Sequence, residues 1–360
     1  MRATVLALVL LVAVAVMWCG QAVRKAERST GNDLVGYLAA TDALYAGQDP
    51  YHLPDRFPYI YPLFLAVVLR PLAALDVRAA SVVWSALQWG CLLFILREAR
   101  LRFGRREIAG AAAIAVIVAV FGDILQSEFL NGQVNLVVLA LVVGSIRMAD
   151  GRPVGAAALL GAAIAIKLTP ALMLVYWIVR RRFALASLAC AWAALFILLP
   201  WLLVGDRLWT LYGTYLREFI FARTTSGAPH QDEIFFSGYG FIGWLTGSPP
   251  GRAVVIAAAV AVVTIVVAWH WRLRTRSAEP SASPAWVYLA ATPLLSPMSE
   301  VHHLTAALPL AAVTGLAGLP FAVLVWIGRF DRRGPWYFLA VVSLIVAGCM
   351  MIRRRSQDSV

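Results

Sequence analysis

Asp33 stands just beyond an apolar run, Ala3 to Val23, long enough to cross a bilayer. A carboxylate at that place suits a general base working at a membrane surface. It is equally a residue type that caps helices or sits solvated in a loop. Lys167, in Lys167-Leu168-Thr169-Pro170, lies between two apolar stretches. An ammonium there is costly unless it faces water or a partner, and it can hold a phosphate as a point charge or snorkel to the interface. Ser296-Pro297, Glu300, His302 and His303 gather at the end of another apolar run. Histidine binds phosphate or metal, or moves protons. Adjacent histidines point different ways on a helix, which argues against a shared metal. Asn131-Gly132-Gln133-Val134-Asn135 opens a further run with amides that suit sugar hydroxyls, helix caps or helix–helix hydrogen bonds.

The elements that must position these groups follow from composition. The chain has 360 residues, 61% hydrophobic and 14% charged, with a mean hydropathy of +0.77. Soluble domains carry about a quarter charged residues. Long continuous apolar runs separated by basic clusters predict an all-α polytopic membrane protein and disfavour a β-barrel, whose strands would alternate. The net charge of +12 sits in arginine blocks between these runs, as positive-inside topology requires, and points to no nucleic acid. The four cysteines, Cys19, Cys91, Cys190 and Cys349, lie within apolar runs and imply no disulfide or metal site. Arg2 and the apolar stretch before Cys19-Gly20-Gln21-Ala22 resemble a signal peptide, but the run is long for one, and an uncleaved first span is expected.

Spans are expected near 3–23, 79–97, 108–122, 134–149, 154–167, 170–180, 183–204, 252–271, 285–296 and 335–352, with one or two more in 303–328. That gives roughly 10–12 transmembrane helices in a single domain over residues 1–360. The clusters Arg97–Arg106, Arg147 with Arg152, Arg180–Arg182, Arg272–Arg276 and Arg329 with Arg332-Arg333 are placed in the cytoplasm. Arg24, Lys25 and Arg28 pull the first span the other way and are outvoted. The short apolar segment Pro62 to Leu75, interrupted by Arg70-Pro71, is expected to dip into the outer interface rather than cross. The polar segments then share one side: a long first extracytoplasmic loop at 24–61, then 122–133, the turn at Lys167, the loop 205–251 and 297–303. Within the first loop, Asp33 opens a stretch expected to lie as an amphipathic helix on the membrane surface. The loop 205–251 carries Arg217, Arg223, His230, Asp232, Glu233 and several aromatics, which suit closure over a substrate or a plain connector.

Six segments in order resemble one known group. They are Asp33-Leu34 with Tyr37; Ala43-Leu44 through Gly47 and Asp49-Pro50-Tyr51; Tyr61-Pro62 with Pro71-Leu72; Gly132-Gln133-Val134-Asn135; Lys167-Leu168-Thr169-Pro170; and Ser296-Pro297 with His302-His303. The chain is similar to multi-spanning GT-C glycosyltransferases that use polyprenyl-phosphate sugars. The nearest likeness is to the family containing the mycobacterial phosphatidylinositol-mannoside mannosyltransferases. Two departures stand out: Leu63 where the family has a second proline, and Glu300-Val301 where it has an aromatic residue before the paired histidines.

The resemblance implies a GT-C fold in a bacterial inner (plasma) membrane, with its active site on the extracytoplasmic face. It implies an inverting hexosyltransferase that moves a sugar, mannose above arabinose or glucose, from a polyprenyl-phosphate donor to a hydroxyl of a lipid-linked or cell-envelope glycan. Asp33 would be the base, with Asp42 or Glu128 next in line. Lys167, His302, His303 and Arg223 would bind the donor phosphate. Tyr37, Tyr59, Tyr61, Gln133, Asn135 and Glu300 would contact sugar or acceptor. No Asp-x-Asp metal signature occurs, and no cofactor is expected. The rival readings are a transporter or flippase for a lipid or small solute, which would place its key groups near mid-membrane in repeated halves, and a non-catalytic assembly subunit, which would tolerate loss of Asp33.

Overall fold

The structure, a computed structural model, describes residues 2–28, 32–54, 58–102, 117–221, 238–248, 251–276, 283–295, 301–331 and 334–357. These residues form helices and connecting turns, with no strand among them. A helix satisfies its own backbone hydrogen bonds, which is what an apolar surrounding demands. The order is α1 (Arg2–Arg28), α2 (Asp33–Tyr45), α3 (Phe64–Val68), α4 (Arg70–Ala73), α5 (Val77–Arg102), α6 (Gly122–Asn131), α7 (Asn135–Met148), α8 (Pro153–Ile166), α9 (Leu172–Val179) and α10 (Phe183–Leu198). There follow α11 (Trp201–Val204), α12 (Arg207–Thr214), α13 (Gly238–Thr246), α14 (Arg252–Arg276), α15 (Ser283–Leu295), α16 (Leu308–Thr314), α17 (Leu319–Phe330) and α18 (Trp336–Gln357).

Among the described residues five helical stretches are long and apolar enough to cross a membrane: Val5–Arg28, Val77–Ala99, Phe183–Val204, Ile256–Arg274 and Trp336–Arg354. Helices α6 and α7 together pass the same test but are bent by 109° at their junction. The expected pair at 154–167 and 170–180 is present as the shorter apolar helices α8 and α9. The expected span at 108–122 lies mostly in 103–116, outside the described residues. The region 303–328 is divided: a 3-10 stretch at Val301–Ala307, α16, a second 3-10 turn at Gly315–Gly318, then α17.

The segment after Pro62 forms α3 and α4, of five and four residues. At ~1.5 Å rise per residue neither can cross a bilayer. Two other expectations are corrected. Helix α2 is not an amphipathic surface helix, because Leu34, Val35, Tyr37, Leu38, Ala40, Thr41, Ala43 and Leu44 are buried on most of its circumference. It is packed into the protein, with Asp42 and Tyr45 left outward. The segment 122–133, expected as a polar stretch between two spans, is chiefly the helix α6.

The contacts test the charge-based topology. Arg147 at the end of α7 pairs with Glu98 near the end of α5, and Arg182 pairs with Asp150. Arg274 donates to the Val179 carbonyl. These contacts link four of the basic clusters on one face of the bundle. Arg329 does not fit the assignment: its Nε lies 2.6 Å from the Asp123 carboxylate. Two side chains in contact share a level, so Arg329 and Asp123 cannot stand on opposite faces as the charge pattern had them. The reason is that α6 is one arm of a bent pair and carries Asp123 away from the polar bend at its other end.

Candidate active site

The site is built on the bend between α6 and α7. Gly132 ends α6 in the left-handed region, with φ +64°. A Cβ there would stand 2.5 Å from Cβ of Leu34, so both the backbone angle and the approach of α2 demand glycine. Helix α5 holds the bend from behind. Trp84 Nε1 donates to the Gly132 carbonyl at 3.0 Å, and Gln88 Nε2 donates to the carbonyls of Glu128 and Gln133 at 3.2 and 2.8 Å. Trp84 and Gln88 are one turn apart and so share a face of α5.

Helix α2 is tied to the same bend by Asn32. Its Oδ1 accepts from the Val35 N–H at 3.1 Å, the usual N-cap bond, and its Nδ2 donates to the Leu130 carbonyl at 3.0 Å. The cap is therefore Asn32 and not Asp33, which is the first residue of the helix. The Asp33 carboxylate turns instead to Gln133, whose Nε2 donates to Asp33 Oδ2 at 2.7 Å. Burial pushes the Asp33 carboxyl up to about 6, against the opposing pull of Lys25 and Lys167. Lys25 donates to Asn131 on the same bend.

Two residues further along, Asn135 holds the lysine. Lys167 Nζ donates to Asn135 Oδ1 at 2.7 Å, and Asn135 Nδ2 donates to Glu128 Oε2 at 2.8 Å. The other Glu128 oxygen accepts the Leu136 N–H at 2.9 Å, at the start of α7. Lys167 also lies over the Tyr61 ring, 5.7 Å from its centroid. The Tyr37 hydroxyl is 3.2 Å from that of Tyr61 and 3.4 Å from Gln133 Oε1. Beside Lys167 a cavity is lined by Asn135, Val138, Thr292, His303 and Thr305, among others.

Asp33, Tyr37, Tyr61, Gln133, Asn135, Lys167 and His303 are thus drawn into one neighbourhood from five separate stretches of sequence. Tyr59 has a different position: its buried hydroxyl donates to the Pro62 carbonyl at 2.7 Å and accepts from the Ala66 N–H at 3.2 Å, so it braces the turn leading into α3. His302 and His303 do not diverge. In the 3-10 stretch their rings lie 4.5 Å apart between centroids, with His302 buried. Among the described residues no three His, Cys, Asp or Glu side chains form a metal-binding group. Arg223 and Glu300 fall outside the described residues, as do Ser296-Pro297 and most of the polar part of loop 205–251. Sequence reasoning missed Asn32, Trp84 and Gln88, and named Glu128 only as a reserve base.

A carboxylate with a raised proton affinity and an ammonium thus stand on neighbouring amides of one bend, and the ammonium lines a cavity. Such a pair can take a proton from a hydroxyl and stabilise a departing anion. Comparison with known proteins agrees in kind. Residues 59–297 match the family model described as Glycosyltransferase family 87. The chain is 28% identical over 338 residues to a protein of Mycobacterium tuberculosis named "Polyprenol-phosphate-mannose-dependent alpha-(1-2)-phosphatidylinositol mannoside mannosyltransferase", covering 86% of this chain and 71% of the relative. It is 30% identical over 176 residues to the "Polyprenol-phosphate-mannose-dependent alpha-(1-2)-phosphatidylinositol pentamannoside mannosyltransferase" of Mycolicibacterium smegmatis, covering 48% of this chain and 41% of that one. No solved structure matches.

Proposed function

Because the chain belongs to glycosyltransferase family 87, we propose that it transfers mannose from polyprenyl-phosphate mannose to a hydroxyl of a glycolipid, with inversion. Relatives whose names carry that donor and a phosphatidylinositol-mannoside acceptor support the sugar, the lipid carrier and the acceptor class. The observation that carries the reading is the bend at Gly132. Gln133 presents Asp33, and Asn135 presents Lys167, two residues apart on one backbone.

In this reading Asp33 takes the proton of the acceptor hydroxyl as its oxygen attacks the anomeric carbon. One C–O bond forms there as the bond to the donor phosphate breaks. The electron pair leaves with the polyprenyl phosphate, and a β-linked donor yields an α-linked product. Lys167 and His303 stabilise the charge on the leaving phosphate, with His302 behind His303. Tyr37 and Tyr61, buried beside Gln133 and Lys167, back the sugar site. Lys167 supplies the positive charge, and no step is assigned to a metal ion. The reaction takes place at the extracytoplasmic face of a bacterial plasma membrane, opposite the face that gathers the arginines.

The test is transfer of label from radiolabelled polyprenyl-phosphate mannose to membrane glycolipid extract by purified wild type and Asp33→Asn. Removing a positioned base lowers rate by about 10²–10⁴-fold, while donor binding is kept. Turnover within about tenfold of wild type after the substitution would remove Asp33 from the role. No labelled product with wild type would overturn mannose as the donor sugar.

A further inference from the structure

We propose that Glu128 is a positioning residue for Lys167, acting through Asn135. The inference rests on the functional reading above and deepens it. Glu128 is wholly buried and receives two N–H donors, one from the Asn135 side chain and one from the Leu136 backbone. A carboxylate accepts only, so it dictates which way the Asn135 amide turns. With the NH2 group held at Glu128, the carbonyl oxygen must face the Lys167 ammonium. An amide turned the other way would aim N–H groups at a cation. Glu128 therefore sets the polarity of the lysine's seat from a distance, without touching it.

This explains an otherwise costly arrangement. A buried carboxylate used only to cap the start of α7 would need just the Leu136 bond, and a neutral acceptor would serve there. Instead the carboxylate stands at the head of a directed chain, Glu128 to Asn135 to Lys167, that ends at the cavity wall. Lys167 and Asn135 both line that cavity. The seat is thus specified for a group that accepts from lysine, the chemistry of a phosphate oxygen.

The chain can be inverted by design. Glu128→Gln keeps one acceptor for Leu136 and puts an NH2 group against Asn135, which must flip and turn donors on Lys167. Asn135→Asp alone sets two carboxylates side by side. The double variant Glu128→Gln with Asn135→Asp restores donor–acceptor matching at every link, and it moves the negative charge one residue toward the lysine. Two readouts apply to purified protein in detergent: KM for polyprenyl-phosphate mannose against kcat, and binding of polyprenyl phosphate alone followed by tryptophan fluorescence. Glu128→Gln should raise the donor KM and weaken polyprenyl-phosphate binding by about tenfold or more, and the double variant should recover most of both. A cap role would leave Glu128→Gln near wild type in both readouts, or leave the double variant as poor as its parents; either outcome overturns the relay while the transferase reading stands. Wild type that binds polyprenyl phosphate but transfers no mannose overturns the sugar assignment and leaves the relay to the binding data. Wild type that does neither overturns both.

Discussion

Helices α5 and α7 run side by side, and each end of the pair has a buried acid. At one end Glu98, 3% exposed, meets Arg147 directly, with Arg97 3.6 Å away. At the other end Glu128, fully buried, meets an amide and a backbone N–H, and the cation Lys167 stands one residue further on. The first acid closes its charge on an arginine and so ties two helices together. The second is parted from its lysine by Asn135, just as Asp33 is reached through Gln133. Direct pairing spends a charge on structure, whereas an amide placed beside a charge orients it without neutralising it.

The largest effects that would break this contrast lie on the bend itself. After the Asp33→Asn loss described above comes Gly132→Ala. A left-handed backbone costs a non-glycine residue about 1–3 kcal/mol, and the added methyl meets Leu34. A shift of the bend by about 1 Å would cost transfer on the order of 10²-fold. Pairing it with Leu34→Gly removes the Cβ that the new methyl meets but not the angle, so rescue should be partial; full rescue would show that contact alone mattered. Both are read from transfer rates at matched expression.

The second prediction concerns pH. Asp33 must be ionised to act, and its carboxyl is raised to about 6. Transfer should fall about tenfold per pH unit below pH 6 and level off above it. The sign for stability is the reverse. A carboxyl raised above its unfolded value of 3.8 holds its proton more tightly in the folded state, so stability falls as pH rises from about 4 to 6. Asp33→Asn should therefore raise the thermal midpoint at pH 7 while abolishing transfer. A midpoint that does not move would mean that the burial of Asp33 is relieved by water.

The smallest effect on catalysis is expected at the opposite end. Glu98→Gln leaves Arg147 with a weaker partner, lowering stability by about 1–3 kcal/mol. Transfer by the protein that remains folded should stay within about twofold, since the two ends are independent. A Glu98 variant as inactive as Asp33→Asn would erase the difference between the ends.

Much of the site was legible because its residues stand out against their surroundings. Lys167 between apolar runs, Asp33 after the first span and the amides around Gly132 are each out of place in a plain membrane helix. Helix α2 was misread because Asp33, Asp42 and Gln48 suggested a wet face, when of these three only Asp42 faces out from within the helix and Asp33 is taken by Gln133. Glu128 was undervalued because nothing in the order of residues says that an acid seven positions before an asparagine is held against it. The 109° bend does that. Tyr59 looked like a sugar contact because tyrosines usually are good ones, but its hydroxyl went to the backbone of the next turn.

Composition and run length by themselves determined an all-helical membrane protein, its basic clusters and the residues too polar for their places, because the cost of a charge or an open backbone group in hydrocarbon is local and large. Tertiary structure alone decided which of those residues meet. A glycine with a left-handed backbone turns α6 into α7, and α5 grips the turn. An asparagine then carries α2 onto it, so that Gln133 and Asn135 hold Asp33 and Lys167 on one bend. Hydrogen-bond direction between distant segments has no signature in the order of residues, because it depends on which donors and acceptors the fold brings within 3 Å.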